Sequence, residues 1–72
     1  MEYKKELMKK IARQVKEYRI GNGMTQAKFA EVVGTVQPSI ARLERGDGNV
    51  GINLLVKIHE KTGLELVLSL NE

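Results

Sequence analysis

Along the first third of the chain, apolar side chains recur as Tyr3, Leu7, Ile11, Val15 and Tyr18, at intervals of three and four residues. That spacing lines one face of a helix, and Lys5, Lys9, Arg13 and Lys16 repeat on another face as its solvated side. Gly21, Asn22 and Gly23 should stop this helix, because both residue types tolerate the left-handed backbone that ends helices. Thr25 then offers a hydroxyl to the free amides of a second helix, with Met24 placed to pack back onto it. The second helix runs to about Val33. Gly34 can hold a positive φ, so the chain can turn sharply into a third helix at about Gln37, with Pro38 in its first turn where a missing amide hydrogen costs little. This helix ends at Gly46. The stretch from Gly46 to Gly51, which includes Asp47 and Asn49, has the composition of a loop. A fourth helix takes Ile52 to about Lys61, with Ile52, Leu54, Leu55 and Ile58 on its buried side and Gly63 past its end.

After Gly63 the period changes to two. Leu64, Leu66, Leu68 and Leu70 alternate with Glu65, Val67 and Ser69, which predicts a half-buried strand over 64–70. The chain has no second strand candidate, and a lone strand leaves its backbone groups unpaired. A symmetry-related copy pairing with it in a homodimer is the simplest solution. The alternative is a short fifth helix, because brief apolar runs fit either element.

The second and third helices carry a particular spacing: Gln26, Ala30, Gly34, Ile40 and Leu43. Two helices joined by a short turn and crossing at roughly 90 to 120° need a small residue at their contact and a flexible residue in the turn. Ala30 and Gly34 meet those needs, and Phe29, Val33, Ile40 and Leu43 would clamp the pair to the core. Gln37, Ser39, Arg42 and Arg45 then remain outward on the third helix, all able to hydrogen-bond.

Length and charge narrow what such a pair could serve. Seventy-two residues allow one domain, 1–72, with one core. The absence of cysteine excludes a disulfide framework and a thiolate metal site, and fits a cytoplasmic setting. No apolar stretch approaches the roughly 20 residues that span a bilayer, and the lysine-rich start leads into mixed polar sequence instead of an export signal. The net charge of +3 is unevenly spread: residues 1–46 hold ten Lys/Arg against five Glu, and residues 47–72 hold two Lys against four acids. A basic surface for a polyanion and a separate, less basic surface follow from that asymmetry. His59 is the only histidine, so it is expected to pack against the helices and not to bind metal. No nucleophile, base and orienting partner stand in an enzyme-like arrangement, and nothing calls for a cofactor.

The ordered set Arg19, Gly23, Thr25-Gln26, Phe29-Ala30, Gly34, Gln37, Ile40, Arg42-Leu43-Glu44 and Gly46, followed by Leu54-Leu55 and Lys57-Ile58, resembles the Cro and phage-repressor type of helix-turn-helix, the XRE family. The resemblance covers residues 11–63. It implies a mainly α, lambda-repressor-like bundle of four helices, here with a C-terminal β-strand pairing across a homodimer, and a helix-turn-helix at 25–46 that binds double-stranded DNA. Position by position, it assigns Gln37 to a base edge, where a glutamine suits adenine N6 and N7, and Arg42 to guanine O6 and N7 or to a phosphate. Pro38 and Ser39 would touch bases or thymine methyls. Thr25, Gln26, Lys28, Arg45 and Asn49 would hold phosphates, with Gln26 also bracing Gln37. Arg19 and Glu44 would pair across helices as structure. Two positions depart from the family. Thr35-Val36 stands where an apolar residue and then a Ser or Thr usually precede the third helix, and Val50 stands where a proline usually opens the fourth.

The alternating tail is similar to the C-terminal strand of HipB-like antitoxins, whose dimers pair strands and bind their own promoter. The resemblance therefore implies a homodimeric repressor on an inverted-repeat operator, its recognition helices about 34 Å apart, and the antitoxin half of a toxin-antitoxin pair. Leu64, Leu66, Leu68 and Leu70 would form the dimer interface. Two other roles stay open: a module that binds a toxin or another protein partner with the helix-turn-helix as scaffold, and a phage repressor or restriction-modification controller.

Overall fold

The computed structural model describes residues 2–46 and 50–66. Among the described residues four helices follow one another as α1 (Glu2–Gly21), α2 (Gln26–Val33), α3 (Gln37–Glu44) and α4 (Ile52–Thr62). The stripe of α1 is buried at Met8, Ile11, Ala12 and Val15, whereas Tyr3 is 58% exposed, so packing starts one turn later than the apolar spacing does. The helix stops where Gly23 takes φ +68°. There the Met24 amide donates to the Arg19 carbonyl at 3.0 Å, and the Asn22 side chain donates to the Tyr18 carbonyl at 2.7 Å.

Two caps set the entry and exit of α2. Thr25 Oγ1 accepts from the Lys28 amide at 3.0 Å, satisfying one of the free donors of the first turn. At the other end Gly34 sits at φ +84°, and its amide and that of Thr35 both reach the Ala30 carbonyl. Lys57 Nζ donates to the Gly34 carbonyl at 3.2 Å and ties α4 to this turn. No atom lies within 4 Å of a Cβ built on Gly34, so the cost of adding one is conformational only. Gly34→Ala is therefore expected to lower unfolding free energy by about 1–2 kcal/mol, read from urea denaturation. An unchanged midpoint would show that the turn relaxes out of the left-handed region.

The core lies where all four helices meet. Val15, Phe29, Val33, Ile40, Leu43 and Ile58 are at most 1% exposed, and the Tyr18 and Phe29 rings pack at a tilt of 55° with centroids 6.1 Å apart. Ala30 is also buried within this core. Along α4 the buried side is Ile58, with Leu54 and Leu55 packed against the core. Ile52 departs from the expected pattern and is 63% exposed. Two residues correspond to about 200° of helical rotation, so Leu54 and Ile52 cannot share a face.

The expected strand over 64–70 does not begin where the leucine alternation does. Gly63 takes φ +78°, its amide donates to the His59 carbonyl, and the Leu64 amide donates to Thr62 Oγ1 at 3.1 Å. The Leu64 carbonyl meets His59 Nδ1 at 2.7 Å, which makes Nδ1 the protonated nitrogen. His59 itself is exposed, and it fastens the backbone that follows α4 against the end of that helix. This cap folds the chain back, and Leu66 drops into the core at 1% exposure. As a dimer-interface residue Leu66 is therefore a correction: its own chain already covers it. Leu64 is half-buried, and Leu68 and Leu70 lie outside the described residues. Leu66→Ala is expected to cost about 2–5 kcal/mol, the range for a buried leucine. A thermal melt that changes with the variant but not with protein concentration would support this placement.

Candidate nucleic-acid interface

The third helix exposes its first residues because its apolar positions, Ile40 and Leu43, are both consumed by the core. Gln37, Pro38 and Arg42 are exposed, and Ser39 is half-buried. Gln37, Pro38 and Arg42 thus face away from the core, and Ser39, about 200° round the helix from Gln37, lies at the edge of the packed side. Ser39 and Arg42 border a small cleft of about 130 Å³, shared with Thr35, Val50, Gly51 and Leu54 at the start of α4.

Gln37 is held by a chain of hydrogen bonds that crosses three helices. Its Nε2 donates to Gln26 Oε1 at 2.7 Å, and Gln26 Nε2 donates to Glu44 Oε1 at 3.1 Å. Arg19 donates to Glu44 twice, from Nε to Oε2 at 2.7 Å and from Nη2 to Oε1 at 3.0 Å, and from Nη1 to the Met24 carbonyl at 2.9 Å. The guanidinium and carboxylate are only 13% and 4% exposed, and this fork-to-fork geometry is the strongest form of such a pair. The hydrogen bond to Glu44 raises the Arg19 pKa, with a smaller charge contribution in the same direction, while burial alone would lower it.

An amide nitrogen has two hydrogens and the carbonyl oxygen two lone pairs. With one Nε2 hydrogen committed to Gln26, Gln37 still presents the other hydrogen and its Oε1. That is the donor and acceptor set that matches adenine N7 and N6. Gln26 has one Nε2 hydrogen left, enough for a phosphate oxygen.

Three of the remaining phosphate candidates, Thr25, Lys28 and Arg45, are among the described residues. Thr25 is exposed, and its hydroxyl hydrogen is still available because the oxygen is the capping acceptor. Lys28 is within 3.6 Å of Glu31 across a single helical turn, with both side chains more than half exposed, so the pairing is weak and easily exchanged. Arg45 is exposed at the end of α3 and lines a cleft of about 430 Å³ with Lys9, Arg13 and Lys16 of α1. Asn49 lies outside the described residues.

Sequence spacing did not reveal the Gln26–Glu44 bond, because the two residues are 18 positions apart and meet only once α2 and α3 cross. Val36 stands where the family usually has a Ser or Thr; it makes no side-chain capping bond and is 62% exposed beside Gln37. Among the described residues no His, Asp or Glu cluster could hold a metal, and no helix is long and apolar enough to cross a membrane.

Two short helices joined through Gly34 and packed against each other, the second exposing Gln37, Pro38 and Arg42, define a helix-turn-helix unit of the kind that enters a DNA groove. The helix-turn-helix family matches residues 15–68, three quarters of the chain, and the protein belongs to this XRE-type family of DNA-binding regulators. No curated protein and no solved structure matches the chain.

Proposed function

We propose that this protein is a sequence-specific transcriptional repressor that places the N-terminal end of α3 in the major groove, with Gln37 reading adenine and Arg42 reading guanine. The observation that carries the proposal is the hydrogen-bond chain from Arg19 through Glu44 and Gln26 to Gln37. A surface glutamine otherwise loses rotamer freedom when it binds, and an amide already held in place loses less of it. Pro38 and Ser39 follow this residue and touch bases beside it. Thr25, Gln26, Lys28, Arg45 and Asn49 set the register on the phosphates.

The repressor acts as a homodimer on an inverted repeat, two recognition helices meeting successive major-groove faces about 34 Å apart. With Leu66 taken by the core, Leu64, Leu68 and Leu70 are the leucines left to the interface. The fuller role is the antitoxin half of a toxin-antitoxin pair that represses its own operon.

Selection from a randomised duplex pool, followed by titration of the enriched sequence at several salt concentrations, tests the DNA reading. An enriched palindrome is expected, with log Kobs falling against log salt at a slope of about −4, for Lys28 and Arg45 of each of two protomers. No enrichment, or affinity indifferent to salt, would sink it. Sedimentation of the free protein tests the dimer separately. Co-purification with the product of the adjacent gene, and relief of that product's toxicity, tests the antitoxin role.

A further inference from the structure

We infer that Val36 is a specificity residue that reads the methyl group of a thymine next to the adenine held by Gln37. The inference rests on the DNA reading above and extends it to a residue so far seen only as a defective cap.

Val36 occupies the N-cap position of α3, with φ −111° and ψ 154°, and makes no side-chain capping bond. A Ser, Thr, Asp or Asn is favoured there because its side chain accepts from the second or third amide of the helix. In this helix the second of those positions is Pro38, which has no amide hydrogen. The third is Ser39, whose amide already donates to the Val36 carbonyl at 3.0 Å. A capping hydroxyl would therefore have little left to satisfy, and position 36 is free to serve another purpose.

The side chain placed there is branched, apolar and 62% exposed. It packs nothing in its own chain that requires a valine: the core cluster and the residues packed against it do not include it. A single exposed apolar residue is ordinary on a protein surface. This one sits directly before Gln37, with exposed Pro38 directly after. The order along the backbone is apolar, amide, apolar. In the major groove the C5 methyl is the one apolar feature of a base edge, and it belongs to thymine. A glutamine that takes adenine with a valine beside it therefore fits an A·T-rich step in which the methyl lies against Val36. Removing the methyl, or the valine, forfeits one methyl's burial, about a fourfold change in affinity.

The test uses the full chain and a duplex it has enriched from a randomised pool, resynthesised with deoxyuridine in place of each thymine in turn. One position per half-site is expected at which the missing methyl weakens the native protein about fourfold. It should neighbour the base pair at which Gln37→Ala loses discrimination. Val36→Ser and Val36→Ala should bind the thymine and deoxyuridine duplexes equally, while melting within a few degrees of the native protein because the residue is outside the core. If Val36→Ser still senses the methyl, or if Pro38→Ala alone abolishes the preference, Val36 is not the reader. A native protein that binds its selected duplex without any thymine preference overturns the inference and leaves the DNA reading intact. A protein that enriches no sequence overturns both.

Discussion

Gln37→Ala combined with Arg42→Ala should lower affinity for the selected duplex by about 1,000-fold or more and flatten its preference over random DNA, with the circular dichroism melt unchanged. Each bidentate base contact discriminates by about 1–3 kcal/mol, and the proposed dimer loses four of them, two from each protomer, so even the low end multiplies to about that factor. Neither side chain is buried, so the fold has no reason to respond. Lys28→Ala gives the contrasting result, a uniform weakening across sequences and a shallower salt slope, because a phosphate contact carries no sequence information. The pair of experiments separates a DNA reader from a scaffold that merely retains the helix-turn-helix shape. If the double variant binds its selected duplex as the native protein does, the reading surface lies elsewhere and the protein-partner role becomes the better account.

Glu44→Ala is expected to be the most damaging single substitution to the fold outside the apolar core. It removes the acceptor of three hydrogen bonds and leaves the Arg19 guanidinium, 13% exposed, with only the Met24 carbonyl. Breaking a buried pair from one side costs more than the pair contributes, because an uncompensated charge remains. Residual access to water puts the expected loss at about 3 kcal/mol, or about 15 °C in melting temperature for a domain of this size. Glu44→Gln should lose less, since an amide oxygen can still accept from one donor. A drop of only a few degrees in Glu44→Ala would place the pair among ordinary surface ion pairs. Binding follows as well: with Glu44 gone, Gln26 loses one of its two anchors. The Gln37 contact should then weaken even at temperatures where the variant is folded.

The helices were legible because each one is written locally. Thr25 before α2, Gly34 after it and Pro38 inside α3 act within a few residues of where they stand, and the structure uses each as its chemistry predicts. The apolar positions Phe29, Val33, Ile40 and Leu43 were legible for the same reason, since burial follows the helical period wherever two neighbours compete for one face. Ile52 misled because the first residue of a helix shares the composition of the stripe without its angle. The alternation of leucines after Gly63 misled over Leu64 and Leu66, because a period of two is also what results when a chain turns back on itself and offers one leucine to the core.

The candidate site was half visible. Gln37 and Arg42 stood out as polar residues on the outward side of a helix whose inward side was accounted for. Their support followed from the family resemblance, which paired Arg19 with Glu44 and set Gln26 to brace Gln37, and not from spacing. Arg19 and Glu44 are 25 residues apart, and Gln26 and Gln37 are 11 apart, so no local pattern ties them.

From the sequence alone followed the four helices of the described residues, the Thr25 and Gly34 caps of α2, the helix-turn-helix and the outward Gln37 and Arg42 of α3, all consequences of interactions within one turn or one cap. Only the tertiary structure decided that Glu44 holds Gln26, that Leu66 is spent on the protein's own core and that Val36 remains exposed beside Gln37. Those outcomes depend on which surfaces meet when separate helices cross, and no local spacing along the chain encodes that.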